Sequence, residues 1–245
     1  MINILLVNDD GYYAEGIQRL KSQLYEYGNV YTIAPKNAMS AKATSITVGK
    51  PINYEKIDDF NYVVDGTPAD CVDLAITKLK LDIDLVISGC NRGLNDSIAS
   101  LWSGTLGACI QAGYLGYPTI AFSACPNHME HAEIYAKQVM DYILKYKLPN
   151  MENIISVNFP YTEKALGIKL SRLSFNKRKV TWGTDGNLYQ DKNGDIDFDD
   201  EDSDLYQTSH GYISITPLAL SIFHEEDFHK FKKITKDEIF TKKTK

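Results

Sequence analysis

Apolar and polar positions alternate in short blocks along the first two-thirds of the chain, and these blocks predict strands and helices in turn. Helical spacing of apolar residues follows the first strand-like run, at Ile17, Leu20 and Leu24. Strands that alternate with helices in this way predict βαβ units and a parallel sheet. Apolar runs typical of buried parallel strands occur at 4–7, 30–34, 85–87, 119–122 and 154–157.

Local signals between these runs add two elements. Thr67-Pro68-Ala69-Asp70 predicts a helix start, with Thr67 as N-cap, proline in the first turn and Asp70 in the capping-box position. The segments 46–54 and 62–64 are rich in strand formers and predict a hairpin or a pair of neighbouring strands.

The last third of the chain has a different pattern. Residues 169–189 predict strand and turn, 212–217 a strand, and the charged tail from Glu225 a helix. The segment from Asp191 to Asp204 carries eight acidic residues and one lysine, which predicts a solvated, mobile loop. Its start is partly similar to a calcium-binding loop, but Ile196 stands where such a loop needs glycine, so calcium binding is not favoured there.

Composition narrows the class of protein. The chain has 245 residues, 44% of them hydrophobic and 24% charged, which suits a globular α/β protein. A net charge of -6 argues against binding long nucleic acid, although a single nucleotide would fit a small site that contains a metal. We find no membrane-spanning run and no signal peptide, and we expect a cytoplasmic protein. The four cysteines form no CxxC pair, so we expect reduced, mostly buried thiols.

Two adjacent carboxylates mark the end of the first apolar run. Ile4–Val7 stops abruptly at Asn8-Asp9-Asp10-Gly11, and glycine allows a sharp turn there. The carboxyl ends of parallel strands are where open α/β sheets bind ligands. Because paired carboxylates repel each other, a divalent cation is the simplest reason to keep Asp9 and Asp10 together.

Two further loops should lie at the same sheet edge. Ser40 follows the second strand, and Asn91 lies in the glycine-rich SGCNRG segment after the strand at 85–87. With Asp9 and Asp10 they offer hard oxygen donors suited to magnesium, manganese or calcium. No histidine or cysteine lies at ligand spacing, so zinc is not favoured. Taken singly, these residues are also explained as a solvated turn, a loop serine and a turn asparagine.

A third loop offers a phosphate site. Ser103-Gly104-Thr105 stands at a helix start, where backbone N–H groups and two hydroxyls can bind a phosphate. A plain N-cap explains the same residues, and both readings stay open.

Six motifs in family order resemble the SurE family of survival proteins, which are 5'/3'-nucleotidases. They are ILLVNDDG, the loop serine followed by SIT at 45–47, GTPADCV at 66–72, SGCNRGLN at 88–95, SGT at 103–105 and GYISITPL at 211–218. The resemblance implies a Rossmann-like three-layer core and a carboxy-terminal β-hairpin and helix extension that exchanges between subunits of a dimer or tetramer. It also implies one divalent metal, magnesium or manganese with calcium as an alternative, held at Asp9, Asp10, Ser40 and Asn91.

The same resemblance sets the expected chemistry. The chain would be a single domain, with a core at about 1–175 and an extension at about 176–245. It would hydrolyse nucleoside 5'- and 3'-monophosphates through a metal-activated water, with short polyphosphate as a side substrate, and Asp9 or Asp10 would act as general base. Asn8, Asn95, Ser103, Gly104 and Thr105 would contact the substrate. Many members have basic residues before the loop serine, whereas 37–39 reads Asn-Ala-Met and leaves Lys36 and Lys42 as the nearby cations.

Three alternatives remain open. The first is a phosphatase that forms a covalent aspartyl-phosphate. Such enzymes have a D-x-D pattern after the first strand, whereas the two carboxylates here are adjacent. A signalling receiver domain also has an acidic pair, and Asp65 would be its phosphoacceptor, but this leaves SGCNRGLN and GYISITPL unexplained. A non-catalytic nucleotide-binding subunit would lack phosphate release from AMP.

Overall fold

The computed structural model describes residues 1–175, 179–182, 184, 188–191, 200–221 and 225–234. Its strands are β1 Ile2–Val7, β2 Gly28–Pro35, β3 Asn53–Asp58, β4 Asn61–Asp65, β5 Leu85–Arg92, β6 Thr119–Ala124, β7 Asn153–Asn158, β8 Gly167–Leu170, β9 Lys179–Trp182, β10 Leu188–Asp191 and β11 Tyr212–Ala219. Its α-helices are α1 Glu15–Leu24, α2 Pro68–Asp73, α3 Gly104–Tyr114, α4 His131–Ile134, α5 Ala136–Lys145, α6 Asp204–Ser209 and α7 Glu225–Ile234. A π-helical turn at Leu74–Lys78 and a 3₁₀ helix at Ser97–Trp102 complete the set.

Nine strands form one mostly parallel sheet. Their order is β3-β4-β2-β1-β5-β6-β7-β11-β8. The neighbouring strands β4, β2, β1, β5, β6 and β7 run parallel to one another in the middle of the sheet. The pair β3–β4 is antiparallel, so two neighbouring strands pair as predicted, but the predicted strand at 46–54 is wrong in position, because β3 begins only at Asn53. Since β1 lies between β2 and β5, the loops that follow these three strands meet at one edge of the sheet.

Helices cover both faces of the sheet. On β1, Ile4 and Leu6 pack in a cluster that contains residues of α1 and α5, while Leu5 and Val7 pack in a second cluster with α2 and α3. All four side chains are fully buried, as expected of a central parallel strand. This confirms the predicted Rossmann-like three-layer core.

The predicted capping box is present at α2. The Thr67 Oγ1 accepts from the Asp70 N–H at 3.1 Å, and the Asp70 Oδ2 accepts from the Thr67 N–H at 2.8 Å. These local bonds explain most of the chemistry of the GTPAD segment.

The residues after 176 contribute to the main sheet as well as to an outlying hairpin. β11 lies between β7, to which it is antiparallel, and β8, to which it is parallel. β9 and β10 form a separate two-stranded antiparallel sheet. The division into a core and an extension near residue 175 therefore stays a prediction, since β11 is part of the central sheet.

The acidic segment is only partly as predicted. Residues 192–199 lie outside the described residues. Its last residue, Asp204, is fully buried, so the expectation of a solvated loop is wrong at this end. The Asp204 carboxylate accepts from the backbone N–H groups of Ser97 at 2.9 Å and Ser174 at 3.0 Å. These bonds compensate for removing the carboxylate from water.

Two further expectations concern the cysteines and the membrane. Cys71, Cys90, Cys109 and Cys125 are all buried and free, as predicted. Among the described helices, none has both the length and the apolar character needed to cross a lipid bilayer.

Candidate functional site

The loop after β1 is closed by Asn8. The Asn8 Nδ2 donates to the Gly11 carbonyl at 2.8 Å, and the Gly11 N–H donates to the Asn8 Oδ1 at 3.2 Å. Gly11 has φ +108°, a backbone conformation that favours glycine. Asn8 is fully buried in this turn, so its described contacts fix the positions of Asp9 and Asp10.

The first turn of α3 holds the Asp9 side chain in place. Only 3% of Asp9 is exposed, and its Oδ1 accepts a 2.7 Å hydrogen bond from the Thr105 Oγ1. A Cβ atom on Gly104 would lie 2.8 Å from both the Cβ and the Oδ2 of Asp9. Glycine at position 104 therefore permits the close approach of α3 to this carboxylate.

Asp10 is tied to the end of β5. Its Oδ2 accepts from the Arg92 N–H at 2.8 Å, and the side chain is half-buried. The register of β1 and β5, with Val7 beside Ser88, explains why these two loops meet.

Burial raises the pKa of both carboxyls. The pKa of Asp9 rises from 3.8 to about 6, chiefly because the group is buried, and the neighbouring Asp10 charge raises it further while the Thr105 hydrogen bond lowers it. The pKa of Asp10 is also raised by burial, against the lowering effect of the Arg92 N–H and positive charge. The two neighbouring carboxyl groups therefore resist ionisation. A cation bound between them would stabilise their ionised forms.

A cavity of about 340 Å³ opens above Asp9. Its lining brings together residues from the loops after β1 and β2, from the end of β5 and the loop that follows it, and from the segment before α3. They are Asp9, Ser40, Ala41, Asn91, Arg92, Asn95, Ala99, Trp102 and Ser103. Three of the four predicted metal ligands thus line one cavity, and the fourth, Asp10, is the chain neighbour of Asp9.

Ser40 and Asn91 reach the cavity in different ways. The loop that carries Ser40 is anchored by the Met39 N–H, which donates to the Asp9 carbonyl at 2.6 Å, and Ser40 itself is exposed. The Asn91 Nδ2 donates to the Gly93 carbonyl at 2.6 Å. This orientation leaves the Asn91 Oδ1 as the group able to bind a cation.

The five predicted substrate contacts divide into two groups. Asn95 and Ser103 line the cavity, whereas Asn8, Gly104 and Thr105 are outside its lining. The Thr105 hydroxyl is fully buried and donates to Asp9, so its described role is to position that carboxylate. The Ser103 Oγ accepts from the Leu106 N–H at 3.1 Å as the N-cap of α3, and its own hydrogen is left to donate.

Asn95 is held by the strands beside it. Its N–H donates to the Asn158 Oδ1 at 2.8 Å, and its Nδ2 donates to the Ser123 Oγ at 2.9 Å. These bonds to the ends of β6 and β7 hold Asn95 at its place in the cavity lining.

Arg92 is the residue that sequence reasoning missed. It lies inside the SGCNRG segment, but the nearby cations considered there were Lys36 and Lys42. Both lysines are exposed and outside the cavity lining, and Arg92 is the one cationic residue among the described lining residues. Its position directly after Asn91 was the available signal.

Asp65 is too far along the sheet for a receiver-type site. It ends β4, and β2 lies between β4 and β1 in the sheet order. The intervening strand β2 separates Asp65 from the acidic pair, and Asp65 is outside the cavity lining, so the structure does not favour it as a phosphoacceptor of that site.

A second group of potential metal ligands lies outside this cavity. One ligand atom each from His128, Glu130 and His131 lies within 4.8 Å of the others. The expectation that no histidine lies at ligand spacing is therefore wrong for this pair, whose His-x-x-His spacing was the signal.

Comparisons with known proteins find similar sequences and a similar solved structure. The sequence profile of the family described as "Survival protein SurE" matches residues 4–180. The chain is similar to "5'-nucleotidase SurE" of Haemophilus influenzae, with 36% identity over 91% of this chain and 94% of that protein. The protein of the same name from Clostridium botulinum is 39% identical over 89% of this chain and 92% of its own length. The crystal structure of the SurE protein from Aquifex aeolicus superposes with a TM-score of 0.83 at 32% identity, covering 95% of this chain and 99% of that one.

Proposed function

This chain belongs to the SurE family, and we propose that it is a metal-dependent 5'-nucleotidase that hydrolyses nucleoside 5'- and 3'-monophosphates to nucleoside and phosphate. The observation that carries the proposal is the convergence of Asp9, Ser40 and Asn91 on one cavity, with Asp10 beside it. Relatives that cover nearly the same length bear the name 5'-nucleotidase.

The donor set fits a hard divalent cation. Two carboxylates, a hydroxyl and an amide oxygen are ligands that Mg²⁺, Mn²⁺ and Ca²⁺ prefer, and the buried Asp9 has a raised pKa that a nearby cation would lower. Asp9, Asp10, Ser40 and Asn91 would hold the ion. When bound, such an ion supplies positive charge beside the phosphoryl group and lowers the pKa of water.

The chain itself supplies a base and a fixed orientation. In the proposed hydrolysis a water oxygen forms a bond to phosphorus, the ester P–O bond breaks, and the departing nucleoside oxygen gains a proton. Thr105 holds the Asp9 carboxylate through its Oδ1, and we assign Asp9 as the residue that takes the proton from the attacking water. Asp10 keeps the loop after β5 in place through the Arg92 N–H.

Arg92 is proposed to neutralise the substrate phosphate. The residues before Ser40 are Asn37, Ala38 and Met39, which carry no charge, whereas Arg92 lines the cavity. A phosphate dianion would bind the guanidinium and accept from the Ser103 hydroxyl. Arg92→Met should raise KM for AMP by about 10-fold or more, and Arg92→Lys by less, since a lysine keeps the charge but not the fork of donors. An unchanged KM in Arg92→Met would exclude this role.

The main test is phosphate release from a panel of nucleotides with metal titration. We expect Mg²⁺- or Mn²⁺-dependent release from AMP and 3'-AMP, and a loss of about 100-fold or more in kcat/KM for Asp10→Asn with an unchanged melting temperature. Asp65→Asn, at an exposed carboxylate two strands away, is the matched control and should keep wild-type activity.

Three outcomes would contradict the proposal. Near-wild-type turnover of Asp10→Asn would remove the metal-site assignment. No metal-dependent release from any nucleotide would favour a non-catalytic binding subunit. Trapping a phosphorylated aspartate during turnover would instead support the covalent mechanism.

The remaining expectations from the family are part of the same proposal. They are activity on short polyphosphate, a cytoplasmic location, and a dimer or tetramer assembled through the β9–β10 hairpin and the residues that follow. Light scattering of the full chain, compared with a variant that lacks residues 225–245, would test the assembly.

A further inference from the structure

Three potential metal ligands lie together at the amino-terminal end of α4. They follow β6 in the turn His128-Met129-Glu130-His131, where the His128 N–H donates to the Cys125 carbonyl at 2.9 Å and the His131 N–H to the His128 carbonyl at 3.1 Å. These backbone bonds set the spacing of the side chains. One ligand atom from each of the three residues lies within 4.8 Å of the other two.

His131 has a buried nitrogen with an unused lone pair. Its side chain is fully buried, and its Nε2 lies 3.0 Å from the Glu163 carbonyl oxygen. Because a carbonyl oxygen only accepts, the Nε2 is assigned the hydrogen, and in the neutral ring the Nδ1 is the unprotonated nitrogen. The Nδ1 is buried and has no hydrogen-bond partner among the described residues. A bare acceptor in this position is destabilising unless a ligand binds to it.

The surroundings of His131 fix its ring. Tyr135 and Phe159 pack edge-on against it at centroid distances of 5.2 and 6.3 Å, and the Glu163 carbonyl orients the far nitrogen. Histidine ligands of metals usually donate their second ring N–H to a carbonyl or carboxylate in this way, which fixes the tautomer.

His128 and Glu130 complete the group from the solvent side. The His128 Nδ1 lies 3.1 Å from the Glu130 Oε1, and the two side chains are 21% and 42% exposed. The His128 ring stacks on that of His131 at 5.2 Å. The two outer ligands are therefore partly exposed and lie within hydrogen-bond distance of each other.

We propose that His128, Glu130 and His131 form a second metal site, which binds a borderline transition-metal ion such as Zn²⁺. Two imidazoles and one carboxylate are a known zinc ligand set, whereas the oxygen donors around Asp9 favour Mg²⁺ or Mn²⁺. The two sites would thus select different ions, and the second does not depend on the proposed nucleotidase activity.

Cobalt is the probe that separates the two sites. Co²⁺ bound in four-coordinate geometry to nitrogen ligands gives intense visible absorption, whereas Co²⁺ in a six-coordinate oxygen site absorbs weakly. The full chain is freed of metal with a chelator and titrated with Co²⁺ in excess Mg²⁺. We expect one equivalent of intensely absorbing Co²⁺ and its displacement by Zn²⁺.

Variants at the two partly exposed ligands, His128 and Glu130, test the assignment without replacing the buried His131. His128→Gln and Glu130→Gln should each weaken Co²⁺ binding by at least about 10-fold. His229→Gln is the matched control, because His229 pairs with Glu225 at 2.8 Å on α7 and should leave the spectrum unchanged. Asp10→Asn should also keep the intense absorption. If wild type gives no intense band, or if both variants keep wild-type affinity, the site does not exist.

Discussion

The Thr105 Oγ1 donates a 2.7 Å hydrogen bond to the Oδ1 of Asp9, across 96 positions of sequence. Both residues are buried, and the bond joins the first turn of α3 to the loop after β1. A hydrogen bond to an ionised carboxylate is stronger than one between neutral groups, and here it restrains the rotation of the Asp9 carboxylate.

Removing this donor should disable the site while the fold persists. Thr105→Val keeps the shape of the side chain but leaves the Asp9 Oδ1 unpaired, so we expect kcat/KM to fall by roughly 10- to 100-fold and metal affinity to fall with it. Thr105→Ser keeps the hydroxyl and should retain most of the activity. Metal titration and kinetics with AMP measure both effects, and full activity in Thr105→Val would show that the bond is dispensable.

Gly104→Ala should reduce activity through a direct clash. The new Cβ would lie 2.8 Å from the Asp9 Cβ and Oδ2, so either α3 or the carboxylate must shift. Gly113→Ala is the control in the same helix, because the three atoms nearest its Cβ would all belong to the flexible Leu220 side chain, the closest being the Cδ2 at 2.7 Å. We expect a large fall in kcat/KM for the first variant and a value near wild type for the second. Equal activity in both would show that Asp9 tolerates displacement.

Without metal, the raised pKa of Asp9 makes stability depend on pH. Folding favours the protonated carboxyl, so its stabilising contribution is full below pH 3.8 and is lost as the pH rises through about 6. The change corresponds to about 3 kcal/mol between these limits. In EDTA, Asp9→Asn should therefore melt higher than wild type at pH 7 and close to it at pH 4.

Adding Mn²⁺ should reverse that order at pH 7. The cation stabilises the ionised carboxylates of the wild type by binding the folded state, and the variant has lost one of them. Thermal unfolding at both pH values, with and without Mn²⁺, gives the comparison. A difference between the two proteins that does not change with pH would contradict the assigned role of burial at Asp9.

Asp204 should be important for stability although it lies in an acidic segment. Its two oxygens accept from the N–H groups of Ser97, Ser174 and Leu205. In Asp204→Asn one oxygen becomes an NH₂ group that faces a backbone donor, which should destabilise the fold by roughly 1–3 kcal/mol. Asp202→Asn, at an exposed carboxylate, is the control and should have little effect. Urea unfolding of both variants measures the difference.

Much of the fold was predictable because its signals are local. Continuous apolar runs mark the central strands, and the Thr67–Asp70 capping box forms as its spacing predicts. Burial of Asp204 was not predictable, since its partners Ser97 and Ser174 are brought to it by tertiary packing. The acidic composition of residues 191–204 had led to the prediction that Asp204 lies in a solvated loop.

For the candidate site, the sequence predicted which loops meet but not how their side chains are oriented. The strand-end rule brought Asp9, Ser40 and Asn91 to one edge, where the structure shows them around a cavity. It gave no information about where a side chain points within a loop. For that reason the bond from Thr105 to Asp9 emerges only in three dimensions, whereas Arg92 had a sequence signal in its position directly after Asn91.

The position of β11 between β7 and β8 also orders events during synthesis. β8 leaves the ribosome well before β11, its partner in the described sheet, and until residues 212–219 have been made the edge of β7 stays bare. An uncovered edge strand readily pairs with another chain. A premature stop anywhere between β8 and β11 should therefore yield a product that aggregates, even though every residue around the Asp9 cavity would already have been translated.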